Sequence, residues 1–167
     1  MAEYQKVSHG FAPVYDSFSQ CLILGSFPSV KSREEAFYYG HPRNRFWKVM
    51  AAVLQTKEPV TVEEKKQMLL SHHIALYDVI EQCEIAGSSD SSIRNVVPAD
   101  LSAIIAASAV DRVYVNGQTA GKLYHRYQEK QIQIPAVQLP STSPANAACS
   151  LEKLIEIWRN KIVLGNT

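Results

Sequence analysis

Four short apolar runs alternate with longer amphipathic segments along the chain. The runs lie at residues 21–24, 74–77, 112–115 and 135–139. Short apolar stretches that end at glycine, proline or polar residues are typical of buried strands. Because helical segments separate them, we expect a central sheet of four mostly parallel strands between layers of helices, which is a three-layer α/β/α sandwich. The expected single domain covers residues 1–167.

Helical periodicity fills the intervals between these runs. The predicted helices cover about residues 44–54, 61–70, 101–105, 118–127 and 151–162. Thr61 and Glu64 have the spacing of a capping box, and Ser150 is a predicted N-cap for the last helix. That helix has the clearest apolar stripe, and its members are Leu151, Leu154, Ile155, Trp158 and Ile162.

Polar residues follow each predicted strand at its carboxyl end. They are the segments 25–29 (Gly-Ser-Phe-Pro-Ser), 116–117 (Asn-Gly) and 140–144 (Pro-Ser-Thr-Ser-Pro), together with Asp78. In open α/β sheets, ligands bind at this edge. The pattern therefore predicts where a site lies, but it does not indicate which chemistry the site performs.

The overall charge is close to neutral. Lys and Arg number 17 against 16 Asp and Glu, and this net charge of +1 is not typical of a strongly basic nucleic-acid-binding protein. Residues 31–48 differ locally, because they hold five basic residues against two acidic ones and also contain Phe37, Tyr38 and Tyr39. This segment either contacts nucleic acid or forms a solvated surface loop.

Composition excludes several classes of protein. The apolar content of 46% is too high for an intrinsically disordered chain. The sequence has no apolar stretch of about 18 residues that would predict a membrane span. Residues 1–8 lack the apolar segment of a secretion signal, so we expect a cytoplasmic protein. Glycine-rich nucleotide-binding motifs are absent, so no nucleotide cofactor is expected.

The cysteines do not indicate a cross-link or a metal centre. Cys21, Cys83 and Cys149 are odd in number and far apart in sequence. A disulfide framework, an iron–sulfur cluster or a structural zinc site normally needs more cysteines at shorter spacings. We therefore expect three buried thiols and no metal site.

Two segments carry candidate chemistry. In residues 38–47 (Tyr-Tyr-Gly-His-Pro-Arg-Asn-Arg-Phe-Trp), Phe46 and Trp47 fit the helix core, whereas Tyr39 and Asn44 could stack on a base and orient a water. The alternative for Asn44 is a helix N-cap. The loop at 139–146 contains two prolines and three hydroxyl side chains. It is either a stiff loop suited to phosphate contacts or a plain connector.

These segments together resemble the uracil-DNA glycosylase superfamily. The resemblance runs from about residue 11 to residue 158 and includes, in order, G-S-F-P-S, G-H-P-R-N-R-F-W, Y-D-V-I, V-N-G-Q-T-A and L-P-S-T-S-P-A-N-A. The second motif is similar to the mismatch-specific uracil/thymine enzymes. The first and last look more like the deoxyinosine (hypoxanthine) DNA glycosylase branch. That branch implies excision of a flipped, deaminated base from DNA without a cofactor, with hypoxanthine preferred over uracil.

The resemblance also implies roles for individual residues. Asn44 would be the catalytic residue and would position the attacking water, because an amide is too weak a base to take a proton fully. The base pocket would comprise Ser26, Phe27, Tyr39, Asp78 and Asn116. The DNA-binding residues would be Ser29, His41, Arg43, Ser141, Ser143, Pro144 and Asn146.

Within the pocket, Tyr39 would stack on the base, and Asp78 would accept N1–H of hypoxanthine or N3–H of uracil. His41 could also be structural, and Asn116 could be a turn former.

One departure from the superfamily leaves other functions open. Phe27 stands where many members carry the Asp or Asn that activates water. A catalytically weak module that binds damaged or single-stranded DNA is therefore one alternative. A nucleoside hydrolase on the same frame is another, favoured by the low net charge. For an enzyme that must wrap around a single lesion, we expect a monomer.

Overall fold

The structure, a computed structural model, describes residues 3–164, so the outermost residues of the predicted domain, 1–2 and 165–167, lie outside it. The strands are β1 (Gln5–Ser8), β2 (Cys21–Gly25), β3 (Ile74–Asp78), β4 (Ile80–Ile85), β5 (Arg94–Pro98), β6 (Arg112–Asn116) and β7 (Ala136–Leu139). The helices are α1 (Val30–Glu35), α2 (Phe46–Leu54), α3 (Val62–Ser71), α4 (Ser102–Ala106), α5 (Gln118–Tyr127), α6 (Glu129–Ile132) and α7 (Leu151–Lys161).

The central sheet contains the four predicted strands, and every pairing in it is parallel. Its order is β3-β2-β6-β7. All five residues of β2 and of β3 are buried, as expected for strands covered on both faces. β3 pairs with one side of β2, and β6, the next strand of this sheet along the chain, pairs with its other side. The strand order therefore reverses between β2 and β6. Ligands bind at such a reversal in α/β proteins.

Local sequence signals account for the helix boundaries. Thr61 and Glu64 form the predicted capping box at the start of α3, and the Ser150 hydroxyl accepts a hydrogen bond from the Lys153 amide at the start of α7. The predicted helix over 44–54 was wrong at its start, because α2 begins at Phe46. Residues 44 and 45 precede it in the loop that reaches the carboxyl edge of the sheet.

A second, antiparallel sheet of three strands, in the order β1-β4-β5, was not predicted. Its strands are short and mostly polar, and only β4 has several buried residues. Hydrophobic periodicity is therefore too weak to reveal it. The chain enters this sheet directly after Asp78, and the amide of Val79 still donates to the carbonyl of Gly25 at 2.8 Å. The antiparallel sheet consequently lies against the carboxyl edge of the parallel one.

Helices α2 and α7 pack together over the parallel sheet. Phe46 of α2 meets Trp158 of α7 edge to face, with ring centroids 5.9 Å apart. The indole nitrogen of Trp158 donates to the carbonyl of Pro140 at 2.9 Å. The last helix thus fixes the beginning of the loop that follows β7.

The cysteines are all free thiols. Cys21 and Cys83 are buried as expected, and burial raises the pKa of each to about 11. The expectation of three buried thiols was wrong for Cys149, which is half-buried in the loop before α7.

Residues 3–164 lack two kinds of feature. None of the helices there is long and apolar enough to cross a bilayer. The same residues contain no cluster of three or more His, Cys, Asp or Glu side chains arranged to hold a metal ion.

Replacing Trp158 by Phe tests the attachment of the loop to α7. The variant loses the donor to the Pro140 carbonyl and leaves unfilled space in a fully buried position. We expect the free energy of unfolding in urea to fall by about 1–3 kcal/mol. A loss below about 0.5 kcal/mol would show that the loop does not depend on this hydrogen bond.

Candidate active site

A cavity of about 680 Å³ opens at the carboxyl edge of the parallel sheet. We call it the edge cavity. It is bounded by the segments that follow β2, β6 and β7, by the end of β3, and by residues 88–91. The predicted site residues that line it are Ser26, Phe27, Ser29, Tyr39, Asn44, Asp78, Asn116, Ser141, Ser143 and Asn146. Four strand ends that are far apart in sequence are thus brought to one place.

Gly25 ends β2 at the floor of the edge cavity. A Cβ added there would lie 2.8 Å from the Tyr39 hydroxyl oxygen and even closer to the Asp78 Oδ1 atom. Real Cβ atoms do not approach other atoms so closely. The absence of a side chain at residue 25 therefore allows a carboxylate and a phenol to converge on the sheet edge.

Asp78, at the end of β3, is only 4% exposed. Its Oδ2 atom lies 2.7 Å from Nε2 of His9, a buried residue that follows β1. Its Oδ1 atom faces Gly25 and has no hydrogen-bonding partner within residues 3–164. Asp78 therefore presents one uncommitted oxygen to the cavity, as an acceptor of a base N–H would require.

Tyr39 stacks in parallel on Phe46, with ring centroids 4.1 Å apart. Its backbone has φ +55°, an uncommon value for a residue with a side chain. Its hydroxyl oxygen accepts a hydrogen bond of 3.2 Å from Nδ2 of Asn116. Burial, and then the nearby Asp78 carboxylate, raise the pKa of Tyr39, so its hydroxyl keeps its proton and can donate.

Thr142 is fully buried and connects the two asparagines of the site. Its hydroxyl donates to Oδ1 of Asn44 at 2.8 Å and accepts from Nδ2 of Asn116 at 3.0 Å. Its backbone amide donates to Oδ1 of Asn116 at 3.1 Å. Asn116 is therefore held through both ends of its carboxamide. Thr142 lies within a motif recognised from the sequence, but the sequence predicted no role for it.

Asn44 has its carboxamide oxygen fully occupied. Oδ1 accepts from the backbone amide of Phe46 at 3.0 Å and from the hydroxyl of Thr142. The Phe46 N–H can only donate, which fixes the orientation of the carboxamide. The alternative considered for Asn44 was wrong, because Arg45 is the N-cap of α2 and Asn44 lies one residue before it, where its side chain accepts from the first helical amide. Among the described residues no acceptor binds its NH₂ group, so Asn44 can hold a water only by donating to the water oxygen.

Arg45, which sequence reasoning also missed, organises the loop after β7. Its guanidinium donates to the carbonyls of Ser143 at 3.0 Å, Asn146 at 3.1 Å and Cys149. Its backbone amide donates to the carbonyl of Thr142 at 3.1 Å. Among residues 3–164 no carboxylate pairs with this cation. Its charge therefore adds positive potential beneath the loop.

The serines of this loop use their oxygens as acceptors. Ser141 Oγ accepts from the amide of Ser143, and Ser143 Oγ accepts from the amide of Ala145, each at 3.1 Å. Asn146 closes the turn by donating from Nδ2 to the Ser141 carbonyl at 3.0 Å. Neither hydroxyl donates a hydrogen bond to any of residues 3–164, so both protons can be donated to an anion such as a phosphate.

Other predicted DNA-binding residues have local structural roles or lie outside the cavity lining. Ser29 caps α1 by accepting from the amide of Ser32, and His41 accepts from the amide of Arg43. His41, Arg43 and Pro144 do not line the edge cavity. Their DNA-binding roles stay predictions.

Asp90 is a wall residue that the sequence did not indicate. The hydroxyl of Ser26 donates to its Oδ1 atom at 2.9 Å. Loss of surrounding water raises the pKa of Asp90; the bond from Ser26 opposes this rise and repulsion from Asp78 adds to it. The cavity therefore has two carboxylates, Asp78 at its floor and Asp90 at its side.

Comparisons with known proteins identify relatives of this chain. The family model described as "Uracil DNA glycosylase superfamily" matches residues 12–160. A protein of Methanosarcina acetivorans named hypoxanthine DNA glycosylase is 32% identical over 142 residues, which are 84% of this chain and 89% of that protein. One of the same name from Methanosarcina barkeri is 32% identical over 87 residues, 52% of this chain and 55% of that protein.

A solved structure also matches. It is the solution NMR structure of a candidate uracil DNA glycosylase from Methanosarcina acetivorans, with a TM-score of 0.77 and 28% identity. The match covers 93% of this chain and 98% of the other.

Replacing Gly25 by Ala tests the crowding at the cavity floor. The new methyl group must displace Asp78 and Tyr39, so we expect the free energy of unfolding in urea to fall by about 1–3 kcal/mol. Gly40→Ala is the matched control, because its Cβ would press mainly on the flexible end of Glu35. That control should change stability by about 0.5 kcal/mol or less. Equal stability of the two variants would contradict the crowding.

Proposed function

Because the chain belongs to the uracil DNA glycosylase superfamily, we propose that it hydrolyses the N-glycosidic bond of a deaminated base in DNA, as a step of base excision repair. Hypoxanthine is the proposed main base and uracil a second one. The observation that carries the proposal is the free Oδ1 atom of Asp78 at the floor of the edge cavity. The similarity to two proteins named hypoxanthine DNA glycosylase supports the choice of base.

The hydrogen-bonding pattern of deaminated bases fits this acceptor. Hypoxanthine carries a proton on N1, and uracil carries one on N3, so each can donate to a carboxylate. Adenine and cytosine have a lone pair at the matching ring nitrogen and would face Asp78 Oδ1 with two acceptors. The carboxylate thus favours the deaminated form of each base over its parent.

Breaking the glycosidic bond leaves an electron-poor sugar and gives the bonding electrons to the departing base. Water attacks the sugar, and the proton that the water loses neutralises the released base. We assign Asn44 to hold this water through its free NH₂ group, with the developing sugar cation supplying the driving force. The neutral Tyr39 hydroxyl lies next to Asp78 and can donate to the departing base. Water is the only co-substrate in this scheme.

The DNA strand would run along the loop after β7. The hydroxyls of Ser141 and Ser143 can donate to a phosphate, and the Arg45 charge lies beneath them. Extruding the base costs a few kcal/mol of stacking, which these backbone contacts would offset. One chain supplies every residue of this arrangement, so we propose a monomer that acts on DNA in the cytoplasm.

The test is single-turnover cleavage of oligonucleotides that contain one deoxyinosine or one deoxyuridine, followed by alkali to reveal abasic sites. We expect the wild type to cut deoxyinosine faster than deoxyuridine. Asn44→Ala should slow cleavage by about 100-fold or more, because the water loses its donor. Asn160→Ala, on the exposed face of α7, is the matched control and should cleave at the wild-type rate.

Three results would contradict parts of this proposal. Preferential cleavage of deoxyuridine would overturn the choice of base. Full activity of Asn44→Ala would overturn its catalytic role. No cleavage of either substrate by saturating wild-type protein would overturn the glycosylase proposal. A salt titration of DNA binding would then separate a DNA-binding module from a nucleoside hydrolase.

A further inference from the structure

His9 lies directly beneath the edge cavity, on the segment that follows β1. It is 1% exposed, and its backbone amide donates to the carbonyl of Glu81 at 2.8 Å, which extends the pairing of β1 with β4. Aromatic rings surround the imidazole, with centroids 4.4–6.3 Å away. These rings belong to Phe11, Tyr77, Tyr38 and Phe27. The side chain is therefore held in one position, with Asp78 as its polar neighbour toward the cavity.

The contacts of His9 fix how many protons the buried pair of His9 and Asp78 holds. Its Nδ1 atom lies 3.1 Å from the carbonyl oxygen of Phe11, which can only accept, so Nδ1 carries a proton. Its Nε2 atom lies 2.7 Å from Oδ2 of Asp78. Without a proton between those two atoms, two lone pairs would face each other in a buried site. The His9–Asp78 pair therefore shares one further proton.

The surrounding groups favour placing that proton on His9. Burial raises the pKa of Tyr38, Tyr39 and Tyr77, so all three phenols around the pair are neutral.

Three charged side chains lie on residues next to the pair: Glu81 bonds to the Tyr77 hydroxyl, Asp90 is repelled by Asp78, and the Arg33 guanidinium lies over Phe27. Two of these three charges are negative, which favours a positive charge at the imidazole.

We propose that His9 is a specificity-determining residue of the edge cavity. By holding the shared proton, it keeps Asp78 a carboxylate, whose Oδ1 atom accepts an N–H from the bound base and repels a ring-nitrogen lone pair. The inference rests on the proposed function of this site and names the residue that lets the site discriminate hypoxanthine from adenine.

If the imidazole of His9 is removed, we expect Asp78 to change from a hydrogen-bond acceptor to a donor. A buried carboxylate without a donor or counter-charge takes up a proton itself. A protonated Asp78 can donate, so it would pair with N1 of adenine instead of repelling it. His9 thus acts on the base through Asp78 and does not touch the base.

The experiment measures affinity for oligonucleotides containing 2′-fluoro-2′-deoxyinosine or 2′-fluoro-2′-deoxyadenosine. The fluorine slows cleavage, so binding is measured apart from chemistry. We expect His9→Phe, which fits the aromatic surroundings but cannot donate, to reduce the inosine-to-adenosine preference by about tenfold or more. His9→Gln keeps a donor toward Asp78 and should restore most of the preference. His125→Gln, at an exposed position on α5, is the matched control.

A wild-type preference for inosine that His9→Phe retains would overturn the inference and leave the proposed function standing. Absence of any preference in the wild type would overturn the inference and the choice of hypoxanthine as the main base, whereas the glycosylase proposal is tested separately by cleavage. Ring ¹⁵N NMR of the wild-type protein gives a readout without DNA and without a variant that must fold. Two protonated ring nitrogens on His9 at neutral pH are expected, and a single protonated nitrogen would overturn the inference.

Discussion

The hydroxyl of Thr142 is the contact on which the geometry of the edge cavity depends. It joins Asn44, 98 residues earlier in the chain, to Asn116, 26 residues earlier. Asn44 in turn accepts from the first amide of α2, and Asn116 donates to the Tyr39 hydroxyl. A short side chain in a connecting loop thereby sets the relative positions of a helix, a strand end and an aromatic ring.

The electrostatics of the cavity divide it into two parts. Carboxylate oxygens of Asp78 and Asp90 line one part, the floor and the side wall, whereas the other part, the loop after β7, combines hydroxyl donors with the Arg45 charge. A phosphate is repelled from the first and attracted to the second. A nucleotide fits both parts only when its uncharged base lies against the carboxylates and its phosphate lies against the loop after β7. This separation allows a protein of net charge +1 to act on a polyanion.

Sequence reasoning predicted the parallel sheet and its carboxyl-edge site because unbroken apolar runs mark buried strands. It missed the antiparallel sheet, whose exposed polar strands have no comparable signal. It also missed His9, which no motif marks and which reaches the cavity only through the pairing of β1 with β4. Arg45 and Thr142 lie within recognised motifs, yet each bonds to a residue 98 positions away, Arg45 to Ser143 and Thr142 to Asn44. Sequence spacing alone does not reveal such pairs.

The position of His9 on the segment after β1 also affects the dynamics of the protein. β1 is a four-residue strand at the edge of its sheet, and most of its residues are exposed. Such edges open locally at a much smaller free-energy cost than the core does. When β1 detaches from β4, the parallel sheet and its loops can remain intact while the imidazole leaves Asp78. Such an opening would remove the imidazole that we propose sets the base preference, and amide hydrogen exchange at β1 measures its free-energy cost.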